Sequence, residues 1–156
     1  MAYKVFVSYS TANIHIAQWA VQSLSRPGVI EVFVAEYSVE PGAILDQRIL
    51  AEIKACDLFV LLWSGAARDS DWVPQEIGAA RMVNRLIVPI VLEKNLSVPG
   101  FISNVKHLRA YENWDDAFLR LRNLVEVQAG QAAQRQAAIA VVGLILGAIA
   151  LFSVSD

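Results

Sequence analysis

The chain has 156 residues, with 13 Lys and Arg against 15 Asp and Glu, which suits one domain and gives no basic excess to grip nucleic acid. Its single cysteine, Cys56, excludes an internal disulfide and a cysteine-based zinc site. The apolar share is 56% and mean hydropathy is +0.44, high for a soluble domain, and the excess lies near the C-terminus.

In chain order, Tyr3–Val7 reads as a first strand stopped at Ser8-Tyr9-Ser10. Thr11 or Asn13 caps a helix to about Leu24, with Ile14, Ala17, Val21 and Leu24 on its apolar face. Arg26-Pro27-Gly28 ends it, and Val29–Val34 is a second strand. A polar loop from Glu36 to Gly42 carries the Pro41-Gly42 turn signal. A second helix spans Ile44–Ala55, with Leu45, Ile49 and Ile53 in one stripe. Cys56 reads as a small buried hydrophobe rather than a nucleophile. The apolar run Leu58–Leu62, closed by Trp63 and Ser64, fits a buried parallel strand. A helix then carries Glu76 to about Asn84. Leu86–Leu92 is a fourth strand, whose Pro89 predicts an interrupted or peripheral position. Residues 93–105 read as loop, a short fifth strand falls near Leu108, and Asn113 or Asp115 caps a last helix from Trp114 toward Val127.

Strands alternating with helices predict an α/β fold, a flavodoxin-like five-stranded parallel sheet flanked by helices. Residues 128–136 are Ala/Gln-rich and read as a helical spacer. Residues 137–155 carry no charge, and at about 1.5 Å per helical residue they reach roughly 28 Å, the thickness of a bilayer core. The expected organisation is a domain over 1–127, the spacer, and one transmembrane helix over 137–155. Arg120, Arg122 and Arg135 precede the span and nothing basic follows it, so the N-terminal domain is expected on the cytoplasmic side of a single-pass protein. Gly143 and Gly147 give the span a Gly-x-x-x-Gly spacing that permits close helix packing.

Several chemistries lack their residues. Neither Walker nor dinucleotide glycine loops follow a strand, and His15 and His107 have no metal-ligand spacing. What remains lies at strand ends, where open α/β sheets bind ligands: Ser8, Tyr9 and Ser10, the Glu40–Gly42 loop, Ser64, and Trp72 with Glu76. Trp72 and Glu76 are four residues apart and share a helix face. A carboxylate beside an indole over the sheet rim suits a developing cation. The plainer alternative is a first-turn Glu favoured by the helix dipole.

Three segments in register resemble the Toll/interleukin receptor (TIR) domain family: Val5-Phe6-Val7-Ser8-Tyr9-Ser10, Val39-Glu40-Pro41-Gly42, and Asp71-Trp72-Val73-Pro74-Gln75-Glu76-Ile77. The resemblance covers about Ala2 to Val125 and is similar to short microbial members with a C-terminal transmembrane helix. It departs where the family carries an acidic residue soon after the first box, Asn13 being the nearest polar residue, and where Ala35 or Glu36 replaces an aspartate. The resemblance implies an NAD+ hydrolase or ADP-ribosyl cyclase that cleaves the nicotinamide ribosyl bond. It implies Glu76 as catalytic residue, with NAD+ as substrate and no cofactor or metal. Ser8, Tyr9 and Ser10 would line the nicotinamide side, Glu40 and Gly42 the nucleotide loop, Trp72 the wall, with Ser64 beside them. Implied partners are further copies through TIR–TIR contacts, membrane lipid through 137–155, and a separate effector or sensor protein. The implied setting is prokaryotic antiphage defence. The alternative is a non-enzymatic adaptor acting through homotypic contacts at Pro41-Gly42.

Overall fold

A computed structural model describes residues 1–35 and 47–153, with side chains to residue 150. Five strands form one parallel sheet in the order β2-β1-β3-β4-β5: β1 Tyr3–Ser8, β2 Ile30–Val34, β3 Leu58–Trp63, β4 Leu86–Val91 and β5 Leu108–Arg109. The helices are α1 Ile14–Leu24, α2 Gln47–Ala55, α3 Gly65–Arg68, α4 Val73–Met82 and α5 Trp114–Ser153. This is the expected doubly wound order, and its switch point lies between β1 and β3. The start of α2 expected at Ile44 falls outside the described residues.

The two-residue side-chain period of β1 sorts the core into two layers. Val5 and Val7 face one side, where Ala17, Ala20 and Leu24 of α1 and Ala117, Phe118, Leu121 and Val125 of α5 pack on them. Phe6 faces the other side, where Ile49 and Ile53 of α2 and Val73, Ile77 and Ala80 of α4 cover it. Parallel register sets Phe6 opposite Phe33 and Phe59, and the rings stack at 5.5 and 5.3 Å. All six residues of β3 are buried, as its unbroken apolar run requires.

Several local expectations change. Asn13 makes no side-chain cap; Ser10 Oγ instead accepts the Ala12 N–H and opens a 3-10 turn over Thr11–Asn13. Asn113 does cap α5, its Oδ1 accepting the Asp116 N–H at 3.0 Å. Pro89 does not interrupt β4, which pairs continuously with β3 and is the penultimate strand. The reason lies in ladder parity. The Leu92 N–H bonds β3 while the Val91 carbonyl accepts from beyond β5, so the Pro89 nitrogen points toward β5. That strand begins at Leu108, opposite Ile90, so at Pro89 the strand behaves as an edge and loses no ladder bond.

The last helix is unbroken for 40 residues. Gly130 is the one glycine or proline between Trp114 and Val142, and Ala/Gln composition sustains the helix across the expected spacer. Ala117, Leu121, Val125 and Ala129 form a stripe at four-residue spacing against the sheet. Phe118 joins them, meeting Trp19 edge-on at 4.7 Å. The Met1 amine donates to Gln136 Oε1 at 3.2 Å, tying the helix to the start of β1. From residue 137 to 150 every side chain is exposed. By length and composition this helix can cross a membrane: its most apolar window averages a hydropathy of 1.6, and none of that window is buried.

Cys56 is buried, and its thiol donates to the Ile53 carbonyl at 3.1 Å. Burial pushes it up to about 11. Burial, then the Asp57 carboxylate, pushes the Tyr3 hydroxyl up to about 12. Both acids are harder to ionise folded than unfolded, so above pH 9 the unfolded chain loses protons first and stability falls as pH rises. The denaturation midpoint should therefore drop from pH 9 to 11, and Cys56→Ala should flatten the drop. Native alkylation at pH 8 should run at least ~100-fold slower than for a free thiol. Prompt native labelling would show an exposed thiolate instead.

Candidate functional site

Sheet parity also decides where Ser8 points. It stands two residues after Phe6, so it faces the same layer, toward α4. There Ser8 Oγ donates to Glu76 Oε2 at 2.5 Å, across 68 residues of sequence. Both side chains have no solvent exposure. Glu76 lies in the first turn of α4, its N–H bonded to the Trp72 carbonyl at 3.0 Å. The expected shared face of Trp72 and Glu76 is present. Trp72 is partly buried against the Phe6 layer and Glu76 fully buried. Burying a carboxylate is costly unless polar groups meet it, and the Ser8 hydroxyl is one such group.

The remaining candidates gather at the same carboxyl rim. Tyr9 is buried, and its hydroxyl donates to the Ala35 carbonyl at 2.8 Å, joining the ends of β1 and β2. Ser64 Oγ accepts the Ala67 N–H at 3.0 Å, capping α3, and donates to Asn13 Oδ1 at 2.7 Å. That last bond spans the β1/β3 switch point. Ser10 is at the edge of burial, 9% exposed. Glu40 and Gly42, with Pro41, lie outside the described residues.

Ser8, Tyr9, Ser10, Ser64, Trp72 and Glu76 are thus brought to one rim, and Ser8 touches Glu76 directly. Asn13 and α3 complete the arrangement. The sequence signal for α3 was Ser64 ahead of Gly-Ala-Ala-Arg, an N-cap pattern. Asn13 was legible as a cap candidate and as the nearest polar residue after the first box, but not as the partner of Ser64, because that depends on which strands are neighbours. Among the described residues, no group of three or more His, Cys, Asp or Glu side chains is placed to hold a metal ion. Among the described residues, the buried part of this rim offers the Glu76 carboxylate with the Ser8 hydroxyl bonded to it, and a fixed carboxylate is suited to stabilising positive charge.

Comparison with known proteins bears on the family and the fold. A family profile described as TIR domain matches residues 5–122. The TIR domain of the Toll-related receptor TRR-2 from Hydra magnipapillata is 20% identical, with 80% of this chain and 97% of that one covered and a TM-score of 0.60. A prokaryotic SEFIR domain is 19% identical over 80% of this chain and 99% of that one, with a TM-score of 0.55. At these identities both likenesses concern the fold. No curated protein matches the chain.

Proposed function

The chain belongs to the TIR domain family, and from that membership we propose that it is an NAD+ glycohydrolase or ADP-ribosyl cyclase with Glu76 as catalytic carboxylate. The observation that carries this reading is the Glu76–Ser8 pair, buried at the carboxyl ends of β1 and α4's first turn, beside the switch point.

The chemistry is consistent with one fixed acid. The bond from the ribose anomeric carbon to the nicotinamide nitrogen breaks, and its electron pair leaves with neutral nicotinamide. The ribose becomes oxocarbenium-like. A carboxylate held against its hydroxyls stabilises that charge, as in glycoside hydrolysis. Water then adds to give ADP-ribose and a proton, or an adenine nitrogen adds to close the ring. Ser8 holds the carboxylate in position. Ser10, Ser64, Trp72 and the loop bearing Glu40 and Gly42 form the substrate's surroundings, and Tyr9 ties that rim together.

Complete burial of Glu76 adds a condition. Substrate reaches it only when the covering residues move, so activity depends on assembly of several copies, and the isolated domain is the closed state. A membrane anchor at residues 137–155, with the domain cytoplasmic, raises local concentration and favours that assembly. A role in prokaryotic defence, with or without a separate effector that reads the product, fits such a device.

The same burial favours a second reading, a non-enzymatic adaptor in which the Glu76–Ser8 bond only braces the fold. Paired variants separate the two. If the chain is an enzyme, Glu76→Gln abolishes NAD+ loss while self-association survives. If it is an adaptor, NAD+ is stable throughout, and Pro41→Ala or Gly42→Ala removes association and signalling while Glu76→Gln leaves both intact.

A further inference from the structure

The path of α5 fixes which end of the domain meets a bilayer. The helix begins after the carboxyl end of β5 and runs down the Val5 layer to the opposite rim, where Ala129, Ala132, Ala133 and Gln136 line a cleft with Met1, Tyr3, Gly28, Val29 and Asp57. The exposed apolar stretch starts at the next residue, 137. The helix has no break there, so this rim is carried straight to the lipid surface. It rests on the anchored reading above.

The chemistry of that rim fits the position. Arg26 and Arg85 precede strands β2 and β4, and Lys54 and Arg81 lie in the last turns of α2 and α4, so all four fall at the amino-terminal end of the sheet. Arg135 on α5 lies close enough to Tyr3 to act on its hydroxyl. The Arg85 guanidinium donates to the Lys54 carbonyl at 2.7 Å, which sets the two side by side. Glu31, Glu52, Asp57 and Glu126 are the acids near this end; Glu31 and Glu52 line a cleft with Lys4 and Cys56, and Glu126 is spread between Arg26 and Arg122 at 3.7 Å each. At the carboxyl rim, Asp69, Asp71, Glu93, Glu112, Asp115 and Asp116 stand with Arg48, Arg68, Lys94, Arg109 and Arg120 among the described residues, and Arg68, Arg109 and Arg120 are paired with Asp69, Glu112 and Asp116. Exposed apolar side chains also lie on the amino rim, Met1, Val29, Met82 and Leu86 among them.

We infer that the amino-terminal rim of the sheet is a docking surface for anionic phospholipid headgroups, which holds the Glu76 rim facing away from the membrane. Basic side chains are drawn to anionic lipid within a Debye length, and apolar side chains among them enter the headgroup layer. A domain tethered only by a flexible linker would sample all orientations; an unbroken helix with a basic, apolar collar selects one.

The test uses the full chain in a Cys56→Ala background, inserted in phosphatidylcholine vesicles with or without phosphatidylglycerol. A fluorophore sits at Val29→Cys or Asp69→Cys, and a quencher is carried on lipid headgroups. The position 29 label should be quenched strongly in anionic vesicles and the position 69 label spared. The triple variant Lys54→Glu, Arg81→Glu, Arg135→Glu should shift the docked-to-undocked ratio roughly fivefold for each basic residue lost while carbonate still fails to extract the chain. An inserted chain with both labels equally quenched, or with position 29 shielded from aqueous quencher but untouched by lipid quencher, overturns the docking alone; the latter would assign the rim to a second copy. A chain that carbonate extracts overturns the anchored reading and this inference together.

Discussion

Glu76→Gln is expected to cut NAD+ turnover by at least roughly 100-fold, the scale of removing a preorganised electrostatic group. The substitution keeps the size of the side chain and an oxygen that accepts from Ser8 Oγ. It removes the negative charge and places an amide N–H2 in a fully buried position. A lost or poorly met buried hydrogen bond costs about 1–3 kcal/mol, and about 1 kcal/mol shifts the melting temperature of a chain this size by roughly 2–4 °C. The variant should therefore remain folded and assemble, so that lost turnover reports charge rather than collapse. Glu76→Ala is the harsher companion, since it leaves Ser8 without this acceptor and opens a cavity. Turnover by Glu76→Gln within twofold of wild type would remove the carboxylate from the mechanism.

Ending the chain after Gln136 is expected to move it from the membrane pellet to the soluble fraction without detergent. A spanning helix inserts with effectively irreversible affinity, so the contrast should be nearly complete. The truncated domain should melt within a few degrees of the full chain, because Ala129 is the last fully packed residue of the stripe and the tie to Met1 ends at Gln136. Leu121→Ala makes the contrast: Leu121 has no exposure, and the change should cost about 2–5 kcal/mol while leaving membrane attachment in place. Soluble full-length chain would mean that the apolar stretch packs in an assembly.

What the residue pattern made legible was the sheet and its rim. The runs at Val5, Leu58 and Leu86 mark strands because a parallel sheet covered on both faces needs continuous apolar side chains. Ser8, Ser64 and Glu76 are recognisable as rim residues because each follows or faces a strand end. Their contacts were less legible. The Ser8–Glu76 bond follows from parity along β1 once α4 is known to cover the Phe6 face, but the Ser64–Asn13 bond needs β1 and β3 to be neighbours, which only topology supplies. Of the two positions Pro89 allowed, the peripheral one holds: β5 has two residues and does not reach it, so the strand is locally an edge and is not interrupted. The reach of α5 was under-read because alanines carry weak periodic signal, yet Ala129 and Ala132 pack on the domain through a stretch that looks like a spacer.

The most direct measurement is nicotinamide release by wild-type protein reconstituted at increasing density on vesicles, with NAD+ as the sole substrate. The account predicts nicotinamide appearing mole for mole with NAD+ loss, at a rate per molecule that climbs with density. Undiminished NAD+ at densities where the copies demonstrably associate would contradict it, and would leave a module whose work is contact alone.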